Sequence, residues 1–147
     1  AETATLADDW LDLLLRHGVD FTLAWRRLAD AAGGDANPLR ALFGEEPAAV
    51  NPWLARWQAH NALADAGRPA AAAARAARMR MANPQVIPRN HKVEEALAAA
   101  SEHGDMGPFD ALLAALRRPF DDDPALAPYA EPAPAQVAAG YRTYCGT

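Results

Sequence analysis

The side chains able to do chemistry in this chain are few and scattered. Four histidines, His17, His60, His91 and His103, form no HExxH pair and no i, i+4 couple, and the single cysteine, Cys145, is remote from all of them in sequence. No metal cluster is therefore expected. His17 and His103 each precede a helix-ending glycine, where an imidazolium meets the last carbonyls favourably, so a capping role is expected of both. Asp121-Asp122-Asp123 could supply oxygen ligands to a hard cation, but no calcium-loop glycine and closing glutamate follow, and the run is read as a solvated turn. Arg68, Arg75, Arg78, Arg80 and Arg89 concentrate positive charge in one region. They allow two readings: a bidentate guanidinium grip on a phosphate-bearing ligand, or pairing with acids on a neighbouring element. No GxSxG elbow, phosphate-cradling glycine loop or kinase motif is present, and by its own residues the chain carries no active site.

The elements that must position these residues are helices. Of the 147 residues, 51% are hydrophobic, but 38 of them are alanine and just six are valine or isoleucine. Alanine is the strongest helix former, and β-branched residues are what sheets select, so an all-α fold is expected. The formal net charge is -5, which opposes general attraction to phosphate backbones, and the basic segment lacks interleaved aromatics; no nucleic-acid partner is expected. With mean hydropathy at -0.21 and no long apolar run, no membrane span is expected either. One cysteine forms no internal disulfide, which fits a reducing compartment. The chain opens at Ala1-Glu2-Thr3 without an initiator methionine, and is read as a processed product or a piece of a longer protein.

Thr5 and Asp8 resemble a capping box, after which Leu6, Trp10, Leu13 and Leu14 fall on one helical face up to Gly18. A second helix from near Asp20 carries Phe21, Trp25, Leu28 and Ala29 on one stripe, and the two are expected to form an antiparallel hairpin. Short helical structure is expected over Pro38 to Phe43. Asn51-Pro52 predicts an N-cap and helix start, with Trp53, Leu54 and Trp57 early in a segment that runs to Gly67. A helix from near Pro69 must end by Asn83-Pro84. Asn90 is the expected cap of the next, with Val93, Ala96, Leu97 and Ala100 on its apolar face and Gly104 at its end. A last clear helix from Asp105 to Pro108 onward bears Phe109, Leu112, Leu113 and Leu116. Five of the 12 prolines then fall between Pro119 and Pro134. The expected architecture is an irregular bundle of six or seven helices over residues 1–118 and a Pro-rich extended tail over 119–147. Phe120, Leu126, Tyr129, Tyr141 and Tyr144 would hold that tail against the body.

Residues 79–147 also carry an ordered set of motifs: Met79-Arg80-Met81-Ala82-Asn83-Pro84, Ile87-Pro88-Arg89-Asn90-His91 and Val93-Glu94-Glu95-Ala96-Leu97. After these come Gly104-Asp105, Arg118-Pro119-Phe120-Asp121, Tyr129, and Cys145 third from the end. The set resembles the C-terminal region of the selenoprotein O-like (YdiU) family; residues 1–78 match more loosely, mainly through Val19-Asp20-Phe21-Thr22 and Pro38-Leu39. The resemblance implies a parent protein adenylyltransferase, a kinase-like fold that binds ATP with Mg²⁺ or Mn²⁺ and transfers AMP to protein hydroxyls. The family's nucleotide, metal and base residues lie upstream of the resembling segment, so no catalytic residue, cofactor ligand or metal ligand is assigned here. The near-terminal position is selenocysteine in some members and cysteine in others, which makes Cys145 a candidate redox thiol. Arg75, Arg78, Arg89, Asn90 and His91 are the candidates for contact with a phosphate or with another domain.

The expectation is thus a non-catalytic, structural or regulatory C-terminal region of a cytoplasmic bacterial adenylyltransferase. Its partners would be the upstream kinase-like domain and the parent's protein substrates. Two other classes compete. An independent helical interaction module is distinguished by its surface, since a region docked on a catalytic part would expose a contiguous apolar patch around Trp53 and Trp57, and a thiol redox protein would depend on a depressed Cys145 pKa.

Overall fold

The computed structural model describes residues 2–140, and those residues form helices and loops without a strand. The chain divides at Pro84/Gln85 into two compact units. The first holds α1 (Glu2–His17), α2 (Phe21–Ala32), α3 (Asn37–Ala41), α4 (Asn51–Asp65) and α5 (Ala71–Ala82). The second holds α6 (Asn90–His103), α7 (Gly107–Leu116), a 3-10 turn at Pro124–Leu126, α8 (Ala127–Ala130) and α9 (Ala135–Gly140). None of the described helices is long and apolar enough to cross a membrane.

The first unit is built around tryptophan. The α1 face carrying Leu6, Trp10, Leu13 and Leu14 is buried as its spacing predicts. Trp10 stacks on Trp53 with ring centroids 4.4 Å apart and meets the edge of Trp25 at 5.9 Å. Trp53 also donates its indole N–H to the Leu6 carbonyl at 2.9 Å, which ties α4 to α1. Helices α1 and α2 are joined at Gly18, whose φ of +59° lets the Val19 N–H return to the Leu14 carbonyl. The extensive packing partners of these two helices lie later in the chain, α4 for α1 and α5 for α2.

Arg26 makes the α2–α5 pairing specific. It is 1% exposed and donates to the Arg80 and Asn83 carbonyls at 2.9 and 3.2 Å, where α5 presents the negative end of its dipole. Asp30, one turn on, accepts from Arg27 at 3.3 Å and from Arg80 at 2.8 Å. The end of α2 comes close enough to α5 that a side chain on Gly33 would meet Ala76 Cβ at 3.6 Å and the Asp30 carbonyl at 3.3 Å.

Several local expectations need correction. Thr5 lies inside α1, which already begins at Glu2. Phe21, placed on the α2 stripe, is 60% exposed; Leu28 and Ala29 are buried as expected, and the buried face also takes in Leu23, Ala24, Arg26 and Ala31. Asp20 is the α2 N-cap, accepting from the Leu23 N–H at 2.8 Å. Asn51 is not a cap. The backbone before it already turns helically, with Val50 at φ -76°, ψ -19°, and the Asn51 carboxamide accepts instead from Arg40 Nε at 2.9 Å. Asn90 is the first residue of α6 rather than its cap, since the extended backbone ends at Arg89, which makes no side-chain capping bond. Trp53 belongs to the core and Trp57 packs against it, so the apolar patch proposed around them is largely interior.

The second unit is organised by backbone ties. The segment between Pro84 and α6 is irregular, and the N–H groups of Gln85 and Val86 both reach the Pro119 carbonyl, at 2.7 and 3.3 Å. Gln85 and Val86 are consequently buried. Helices α6 and α7 pack together, joined through Gly104, whose φ of +65° ends α6, and through Asp105, which accepts from the Gly107 N–H at 2.9 Å. Beyond Pro119 the described residues are not uniformly extended. Prolines divide them into short helical pieces, each with proline in or just before its first turn, where the missing N–H costs nothing. Leu126 and Ala130 are buried within this unit. Tyr141, Tyr144 and Cys145 lie outside the described residues.

Candidate functional site

Among the arginines of the basic segment, the structure brings three to one concavity that also holds a carboxylate. Asp65, the last residue of α4, takes a two-pronged contact from Arg75 on α5, Nη1 to Oδ2 at 2.6 Å and Nη2 to Oδ1 at 2.5 Å. The Arg75 hydrogen bond holds the Asp65 carboxyl below its ordinary value; partial desolvation opposes it, and the charges of Arg75, Arg68 and Arg78 add to the lowering. Arg68 also donates to the Ala64 carbonyl. Arg78 is exposed and acts on Asp65 through space. The three arginines and Asp65 line a concavity of about 410 Å³ whose remaining walls are Pro69, Ala70, Ala71 and Ala74. Local sequence explains this alanine floor: Gly67 and Pro69 interrupt the chain, and an uninterrupted alanine run then restarts it as α5 with no side-chain cap.

The other arginines of the segment are engaged elsewhere. Arg80 binds Asp30. Arg89 is in the second unit, where its Nη2 donates to the Ala130 carbonyl at 2.9 Å and so satisfies the end of α8. Exposed Asn90 and half-buried His91 follow on the first turn of α6. With Arg89, Ile87, Pro88 and Val137 they line a cavity of about 290 Å³.

The acidic run is held by Arg118, which donates through Nε to Asp121 at 2.8 Å and through Nη2 to Asp123 at 3.0 Å. Asp123 also accepts from the Ala125 N–H at 2.9 Å and caps the 3-10 turn. That backbone bond, and after it Arg118, holds the Asp123 carboxyl below its ordinary value. The described residues contain no group of three or more His, Cys, Asp or Glu side chains placed to hold a metal ion. His17 lies beside Phe43, ring centroids 5.5 Å apart, and 3.9 Å from Glu46. His103 is exposed, 4.0 Å from Glu102.

Two important residues escaped the sequence reading. Arg26 was given no role from the sequence, although its position three residues after Leu23 puts it on the buried face. Asp65 had a signal in its i, i+3 spacing to Arg68, but its main partner, Arg75, belongs to the next helix.

No family model matches the chain, and no solved structure matches it. Curated relatives do. The chain is 56% identical over 142 residues to the protein nucleotidyltransferase YdiU of Chromobacterium violaceum, covering 97% of this chain and 29% of that protein. It is 49% identical over 143 residues to the YdiU of Bradyrhizobium sp. (strain BTAi1) and 46% identical over 143 residues to that of Rhizobium etli (strain CIAT 652), in each case over 97% of this chain and 28% of the relative. The chain thus spans less than a third of the length of the curated relatives it matches, and by near end-to-end similarity to them it belongs, as one region, to the YdiU family.

Proposed function

We propose that this chain is the C-terminal helical region of a protein adenylyltransferase, and that it stabilises or gates a catalytic part carried on other polypeptide of the same protein. The observation that carries this reading is the match to YdiU nucleotidyltransferases over 97% of the chain but only 28–29% of their length. In the proposed parent, ATP with Mg²⁺ or Mn²⁺ is held by the kinase-like part, and AMP passes to hydroxyl side chains of substrate proteins in the bacterial cytoplasm. The region itself contributes folding and contacts. In support of that division of labour, Asp65, Asp30 and Asp123 are each engaged by an arginine. Cys145 is the candidate redox thiol of the parent within the same reading.

The test is AMP transfer from labelled ATP to protein, measured for the purified 147-residue chain and for the complete open reading frame that encodes it. The expected result is incorporation by the complete product and none by the chain alone. Transfer by the chain alone, or a complete product without a nucleotide-binding part, would overturn the proposal.

A further inference from the structure

We propose that Arg68, Arg75 and Arg78 form a binding site for a small phosphorylated ligand on the first unit, separate from any adenylyl-transfer chemistry. The argument begins with charge. Arg68, Arg75 and Arg78 line one concavity together with a single carboxylate, Asp65, so the cluster keeps about two positive charges on a chain whose formal net charge is -5. A structural ion pair needs one arginine, and Arg75 alone supplies both prongs to Asp65. Arg68 and Arg78 are not needed for that pair: Arg68 donates to the Ala64 carbonyl at the end of α4, and Arg78 is exposed. They add positive charge to an open concavity with no second acid among its described lining residues, which favours entry of an anion.

The shape of the concavity agrees with the charge. Its volume of about 410 Å³ is in the range of small-molecule sites. Ala70, Ala71 and Ala74 form its floor at the start of α5, a helix of 12 residues. With only methyl groups there and no capping side chain, an anion can approach the positive end of the helix dipole while the guanidinium groups bind its oxygens in pairs. Diphosphates and phosphate monoesters, with several oxygens and up to two or more negative charges, satisfy two arginines at once. A carboxylate satisfies one, as Asp65 already does.

The experiment titrates the 147-residue chain with inorganic pyrophosphate and inorganic phosphate in 150 mM NaCl, by calorimetry and by amide NMR. The expected result is saturable binding, with the largest shifts at Ala71–Ala74 and weakened about tenfold or more in the Arg68→Gln/Arg78→Gln double variant, as expected for loss of charge-assisted hydrogen bonds. The melting midpoint of that variant should stay near that of the parent chain, because Asp65–Arg75 is intact; if it does not fold, the single Arg78→Gln variant carries the comparison. Absence of saturable binding, equal binding by the variant, or preference for an acidic peptide over pyrophosphate would each overturn the proposal. None of these outcomes bears on AMP transfer.

Discussion

The two units solve the same problem with different materials. Up to Pro84, four tryptophans, Trp10, Trp25, Trp53 and Trp57, fill or border one core, and a buried arginine fastens α2 to the end of α5. From Gln85 onward there is no tryptophan. Among its described residues the buried apolar side chains are Val86, Leu112, Leu126 and three alanines, and order comes from the Pro119 carbonyl, the turn at Gly104 and Asp105, and Arg89 at the end of α8. Large rings bury 150–250 Å² each and fix neighbours at several points, whereas small residues leave the backbone and its caps to define the path. Disruption should therefore be concentrated in a few side chains in the first unit and spread over many ties in the second.

The strongest challenge to that contrast is Trp10→Ala, which removes the centre of the first core and should cost about 3–5 kcal/mol in chemical denaturation followed by tryptophan fluorescence. All four tryptophans lie in the first unit, so the signal reports that unit alone. Trp10→Phe should cost far less, because the Trp10 indole N–H is buried with no acceptor among the described residues and the smaller ring carries no donor to satisfy. In the second unit, Leu112→Ala should cost about 2–3 kcal/mol by circular dichroism, since a half-open neighbourhood can collapse around the change. If it equals or exceeds Trp10→Ala, the contrast fails.

Arg26→Leu should cost about 2 kcal/mol, because it strips a donor from the last carbonyls of α5 in a buried place; a neutral result would mean that apolar packing alone holds α2 to α5. The caps are finer probes. Asp20→Ala should cost about 1 kcal/mol through loss of the Leu23 N–H acceptor, while Asn51→Ala, which removes only an exposed acceptor for Arg40, should cost about 0.5 kcal/mol or less. Equal effects would restore Asn51 as a cap.

Acid gives the smallest expected change. Asp65, lowered chiefly by its Arg75 hydrogen bond, and Asp123, lowered chiefly by the Ala125 N–H, have folded-state pKa values below their unfolded ones. Their contributions are present above the ordinary aspartate value of about 3.9 and are lost as pH falls through the depressed values. The melting midpoint should decline as pH falls below about 4, and Asp65→Asn should flatten part of that decline.

Much of the helical layout was legible along the chain. The stripe Leu6, Trp10, Leu13 and Leu14 is local, repeated at helical spacing, and buried as read. Asn83-Pro84 and Gly104 stop their helices for reasons contained in those residues, the steric effect of a following proline and tolerance of positive φ. The helix starts at Asn51 and Asn90 were less legible, because a cap depends on the backbone angles of the residue before it. At Val50 these are set by the turn that begins at Glu46. Phe21 and Trp25 both looked apolar enough to face inward, and only the folded packing decided that Trp25 borders the core while Phe21 stays exposed.

The same division applies to the candidate site. The sequence by itself determined the class of fold, the absence of a recognisable catalytic motif and the family resemblance, because composition, spacing and motif order are properties of a line. Only the tertiary structure decided which partner each of the buried and half-buried arginines meets. Arg26 meets Arg80 and Asn83 across more than fifty residues, and Arg75 meets Asp65 across a helix boundary. A guanidinium acts over a few ångströms, so its role is settled by whichever carbonyl or carboxylate the folded backbone places within reach.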